Sequence, residues 1–109
     1  MGFCFSSPDK KELLKESREL VDDNARILCV CKDIASDAQA AEVRRVYDAV
    51  RYMTPTALAG ATQAYKKINA LAGDLKIALS KGNERGLSQA LEVLKDLDTA
   101  IAERNSYIK

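Results

Sequence analysis

The 109-residue sequence contains no histidine. That absence removes the usual general base, the usual activator of a Ser or Cys nucleophile and the commonest metal ligand. It also removes the Glu-x-x-His pairs on which di-iron four-helix proteins depend. Glycine is scarce, with five scattered residues, and they form neither a phosphate-binding loop nor a nucleophile elbow. No apolar run approaches the roughly 18 to 20 residues needed to span a bilayer. The apolar start Met1-Gly2-Phe3-Cys4-Phe5 is too short, and lacks the basic flank, for a secretory signal. The three cysteines, Cys4, Cys29 and Cys31, are odd in number and lack framework spacing. This fits a reducing compartment, and the cytoplasm is the expected location. An excess of basic charge is missing too: 17 basic residues stand against 16 acidic ones, for a net charge of +1. That balance argues against nucleic-acid binding. The expectation is a protein without catalytic residues, metal or cofactor.

What remains is helical patterning. Hydrophobic residues make up 47% and charged residues 30%, the composition of a globular domain. After a leader over residues 1–8, Asp9 is a candidate N-cap. Leu13, Leu20, Ile27 and Ile34 then recur every seven residues, with Leu14, Val21, Leu28 and Ala35 one step behind. Two adjacent stripes predict a helix over about 9–35 with a wide apolar face. Ser36 and Gln39 match a capping box, and Val43, Val46, Tyr47, Val50 and Met53 continue at helical spacing over 37–53. Thr54-Pro55 predicts a third helix over 55–81, capped by Thr54 and begun by the proline. Its seam is Leu58, Ala61, Tyr65, Ile68, Ala72, Leu75 and Leu79, spaced as in a coiled coil. Gly82 supplies a left-handed C′ position and Asn83 the next cap. A fourth helix over 84–107 carries Leu87, Leu91, Leu94, Leu97, Ile101 and Ile108. Gly86 weakens its first turn, moving the expected regular start toward Leu87.

No strand pattern competes, so the expected fold is all-α: one bundle over 9–109 of four antiparallel helices, up-down-up-down, joined by short turns. A three-helix bundle with the first two segments fused is the alternative. The second helix is about 15 Å shorter than the first at 1.5 Å per residue. That leaves one end of the bundle to be covered by the leader or by a partner.

Several residue groups bear on function. Glu12, Glu16, Glu19 and Asp23 form an acidic run among Lys15, Arg18 and Arg26. At these spacings they read as a solvated, ion-paired face, with Asp22 and Arg26 as one pair. Residues 55–81 carry Lys66, Lys67, Lys76 and Lys81 against Asp74 alone, a modest basic surface. Cys29 and Cys31 point about 200° apart on a helix and cannot clamp one ion. Cys31 falls on the apolar face, as a buried core thiol. Ser17 and Asn24 interrupt that same face. They either set helix register, as polar residues at seam positions do, or mark a half-exposed edge. Gly60 and Gly73 are expected to permit close helix packing.

Met1-Gly2-Phe3-Cys4-Phe5-Ser6 fits the M-G-x-x-x-[ST] pattern for N-myristoylation at Gly2. Cys4 is a candidate for a second acyl chain, and Lys10, Lys11 and Lys15 would favour anionic lipid. Otherwise Phe3 and Phe5 tuck against the bundle or another copy. The expected function is a non-catalytic module that binds a protein partner or itself. Phe3, Phe5, Tyr47, Tyr52, Tyr65 and Tyr107 are its candidate interface anchors. The alternative is a peripheral protein held to a membrane surface through its N-terminus.

Overall fold

The computed structural model describes residues 10–108. Asp9, the expected first cap, lies outside them. Four helices form: α1 (Lys10–Ile34), α2 (Asp37–Arg51), α3 (Ala59–Lys81) and α4 (Glu84–Asn105). Ser36 is extended (φ −69°, ψ 161°), so the first two segments are separate and the three-helix alternative is excluded. Its carbonyl accepts from the Gln39 and Ala40 amides at 2.9 Å, but its hydroxyl makes no cap bond. The capping box does not form because the Gln39 side chain is buried and turned away. Its Nε2 donates to the Leu87 carbonyl at 3.1 Å, and its Oε1 has no hydrogen-bond partner among the described residues. Gly82 takes the left-handed conformation (φ 65°), and Asn83 Oδ1 accepts from the Gly86 amide at 2.8 Å. Both assignments from sequence therefore hold.

The arrangement of neighbours explains the boundary that moved furthest, the start of α3. α1 packs on α2 and α3, and α4 packs on α2 and α3, while neither α1–α4 nor α2–α3 makes contact. The helices therefore sit at the corners of a square with α2 and α3 on a diagonal. Ser17 meets Thr62 and Asn24 meets Asn69, so α1 and α3 run parallel. Gln39 meets Leu87 and Arg45 meets Asp98, so α2 and α4 also run parallel. Lys67 meets Glu103 and Lys81 meets Gln89, which makes α3 and α4 antiparallel. Chain direction alternates as expected, but residues 52–58 must cross the diagonal. A tight Thr54-Pro55 cap would be too short for that. α3 instead starts at Ala59, with extended Leu58 at the N-cap position. The crossing segment also occupies the end that the short α2 leaves open, with Met53 buried there.

Each helix buries one stripe. α2 contributes Val43, Val46 and Val50, and α3 contributes Ala61, Tyr65, Ile68, Ala72, Leu75 and Leu79. Leu58, the expected first seam residue, is exposed. On α1 the face is rotated from the leucine stripes: Ser17, Val21, Asn24, Leu28 and Cys31 are buried, Leu20 and Ile27 are only partly covered, and Ile34 is exposed. On α4, Gly86, Ala90, Leu94, Leu97, Ala100, Ile101 and Arg104 are buried, and Leu91 and Ile108 face out. Small residues win these α4 positions because α3 and α4 lie close. A methyl on Gly86 would sit 2.6 Å from the Ala78 carbonyl oxygen. Gly86 therefore belongs inside α4, which begins at Glu84 and not nearer Leu87. Gly60 also permits a close approach, since the Tyr107 ring lies over it, whereas Gly73 faces open space.

Candidate functional site

Two regions of the bundle combine polar chemistry with position. The first is the seam between α1 and α3. Ser17, Asn24 and Cys31 recur every seven residues, which keeps them on one line of a packed helix. Ser17 and Asn24 are both 0% exposed, which excludes a half-exposed edge. The Ser17 and Thr62 hydroxyls share a hydrogen bond of 3.0 Å. Asn24 Nδ2 donates to the Tyr65 carbonyl at 3.1 Å, and Asn24 Oδ1 accepts from Asn69 Nδ2 at 2.8 Å. Asn69 Nδ2 also reaches Asp23 Oδ2 at 2.8 Å. Cys31 Sγ lies 3.8 Å from the Ala72 carbonyl, a weak thiol donor contact. Three levels of α1 are thereby tied to three successive levels of α3. Burial pushes the Cys31 thiol up to about 11, partly opposed by Lys76 and a backbone hydrogen bond. Such a thiol is unreactive at neutral pH.

The second region is the end where α1 and α3 begin and α2 and α4 finish. Arg104 is buried there. Its Nε donates to the Tyr65 hydroxyl at 3.0 Å, its Nη1 to Asn105 Oδ1 at 3.0 Å, and its Nη2 to the Thr54 carbonyl at 2.6 Å. The Tyr65 hydroxyl donates in turn to the Thr54 carbonyl at 3.3 Å. Thr54, expected as a helix cap, is thus the anchor of the crossing segment. Tyr65, expected as an interface anchor, is a fully buried core residue. Around this clamp lie exposed apolar side chains: Tyr52 at 72% exposure, with Leu58, Tyr107 and Ile108. Tyr47, half-buried on the α1–α2 face, has Lys32 Nζ 4.8 Å and the Arg51 guanidinium 5.4 Å from its ring centre, and the same guanidinium lies 4.7 Å from the Tyr52 ring centre.

Comparison with protein-family models, curated proteins and solved structures returned no match.

The charged groups singled out in the sequence are dispersed by the fold. Glu16 pairs with Lys66 at 3.5 Å and Lys67 with Glu103 at 3.0 Å, while Lys81 Nζ donates to Gln89 Oε1 at 2.7 Å. The basic stretch of α3 is thus shared among neighbouring helices. Asp23, not Asp22, pairs with Arg26, at 3.4 Å. Arg45 forks onto Asp98 and also reaches Glu42 at 2.9 Å. Those bonds, Asp98 first, hold its guanidinium above the ordinary value. Among the described residues no group of His, Cys, Asp or Glu side chains is placed to hold a metal ion, and no helix is long and apolar enough to cross a membrane. Gly2, Phe3, Cys4 and Phe5 lie outside the described residues. Sequence reasoning missed Arg104, although it lies seven residues beyond Leu97 and so continues the buried stripe of α4.

Proposed function

We propose that the protein is a non-catalytic binding module, without metal or cofactor. It associates with a protein partner, or with a second copy of itself, through the end built around Tyr52. The observation that carries this reading is that Tyr52, Leu58, Tyr107 and Ile108 are all exposed at that end of the bundle. Aromatic side chains there bring large contact area at low entropic cost. Arg104 and Tyr65 hold the crossing segment that presents Tyr52 and Leu58. The polar levels of the α1–α3 seam set its register, since sliding one helix by a turn would bury the Asn24 amide without its partners. The test is affinity capture from extract of the source organism with two baits, the native chain and the double variant Tyr52→Ser/Leu58→Ser. A partner held by the first and lost by the second supports the reading. Equal capture by both baits removes this surface from it.

A second reading uses the same end. The first six residues fit an acylation pattern at Gly2, with Cys4 as a second site. α1 begins at this end, so an acylated leader would bring Tyr52, Tyr107 and Ile108 toward a membrane surface. Two acyl chains would anchor stably where one holds only weakly. Intact mass of protein isolated from its source distinguishes the readings: an added myristoyl mass supports anchoring, and an unmodified Gly2 ends it.

A further inference from the structure

We propose that the outer groove between α3 and α4 binds an amphipathic helix of a partner protein through apolar side chains flanked by lysine or arginine. The proposal rests on the reading of the chain as a binding module and names a second surface with its partner chemistry. The groove consists of two adjoining hollows that share Asp96: the apolar lining includes Leu71 and Ala100 in one, and Ile77, Ala78 and Val93 in the other. Ile77 is 62% exposed and lies near partly buried Val93, so the groove offers apolar surface to solvent.

Charge identifies the occupant. Antiparallel helices oppose residues at a fixed register, and two observed contacts define it. Lys67 bonds Glu103 at one end of the groove. Fourteen residues on along α3 and fourteen back along α4, Lys81 bonds Gln89. The level midway between them sets Asp74 against Asp96, and both line the same groove, with Glu92 one turn from Asp96. Two levels are thus bridged by complementary groups, and the central level sets carboxylate against carboxylate. Among the described residues Asp74, Glu92 and Asp96 make no ion pair, and the one ion pair between α3 and α4, Lys67–Glu103, lies at the far end of the groove. A cationic side chain placed between these walls is attracted by the carboxylates of both. From Lys67 to Lys81 the groove runs about 21 Å, the length of roughly 14 helical residues. An amphipathic helix of that length would lay its apolar face on Leu71, Ile77 and Val93 and place a lysine or arginine at the Asp74–Asp96 level.

The probe is a fluorescein-labelled synthetic helix of about 14 residues, with leucines on one face and lysines flanking them. A second peptide carries glutamate in place of lysine. Anisotropy is read with the full chain, with Asp74→Lys/Asp96→Lys, with Ile77→Ser, and with Glu19→Lys, a charge change on the distant face of α1. Circular dichroism confirms that each variant is folded, and Asp74→Asn/Asp96→Asn replaces the lysine pair if that one is not. The expected result is binding of the lysine peptide that weakens with salt, falls roughly tenfold or more in both groove variants and is unchanged in Glu19→Lys. Equal binding of the glutamate peptide, retention in the groove variants or an equal loss in Glu19→Lys overturns the proposal. Light scattering of the same samples separates it from the broader reading. Self-association through the Tyr52 end that survives while peptide binding fails would sink the groove alone.

Discussion

Replacing Asn24 with alanine deletes the centre of the α1–α3 seam. The variant loses the bond to the Tyr65 carbonyl and the bond from Asn69 Nδ2. Each bond contributes about 1 kcal/mol net, and an amide-sized void adds to the loss because the site is fully buried. Asn69 keeps Asp23 as a partner for one N–H and is half-buried, so water can reach the freed N–H and the larger penalty for an orphaned buried group does not apply. The expected destabilisation is about 2–3 kcal/mol, a large share of the roughly 5–15 kcal/mol available to a domain of this size. Urea unfolding followed by circular dichroism measures it. The cycle Asn24→Ala, Asn69→Ala and the double variant should give a coupling of about 1 kcal/mol. Asn24→Leu fills the space without the polar atoms and should stay within about 1.5 kcal/mol of the native chain. Its amide spectrum should nonetheless broaden, because the apolar seam no longer distinguishes one register from the next. A loss below about 0.5 kcal/mol for Asn24→Ala with no coupling to Asn69 would refute the argument that these bonds order the seam.

Two glycines in the second hairpin should respond oppositely to alanine. At Gly86 the new methyl meets the Ala78 carbonyl oxygen and Lys81 Cβ, so Gly86→Ala should cost about 1–3 kcal/mol. At Gly73 nothing lies within 4 Å, so Gly73→Ala should raise stability by about 0.5–1 kcal/mol through helix propensity. Thermal melts of the two variants test both signs. The Cys31 thiol is held at about 11 against an ordinary 9.0. The folded chain therefore keeps a proton that the unfolded chain releases in this window. Stability should fall as pH rises from about 9 toward 11 and be unaffected by this group below 9. Cys31→Ala should flatten that part of the profile relative to the native chain. Iodoacetamide near neutral pH should spare Cys31 until the protein unfolds.

Much of the fold was legible because each helix repeats apolar residues at spacings of three and four, and because Gly82 and Asn83 carry their turn chemistry locally. The start of α3 was not legible. Thr54-Pro55 has the local form of a helix start, but the path from α2 to a diagonally placed α3 is a tertiary matter, and the Thr54 carbonyl is needed by Arg104. The buried face of α4 is hidden in the sequence for a related reason. The leucine pattern includes Leu91, whereas the close α3–α4 approach selects Gly86, Ala90 and Ala100 by size. Of the candidate sites, Ser17 and Asn24 stood out as polar breaks in an apolar stripe. Their partners Thr62 and Asn69 did not, since nothing local to α3 states which helix lies beside it. The opposition of Asp74 and Asp96 is visible only once the α3–α4 register is known.

The proposed association runs through the surface around Tyr52. The most direct measurement is the mass, by light scattering on a sizing column, of the species isolated intact from its source. The account predicts a mass above the 12.0 kDa of one chain, returning to that value in the Tyr52→Ser/Leu58→Ser variant. A lone 12.0 kDa species for the native chain at every concentration would contradict it.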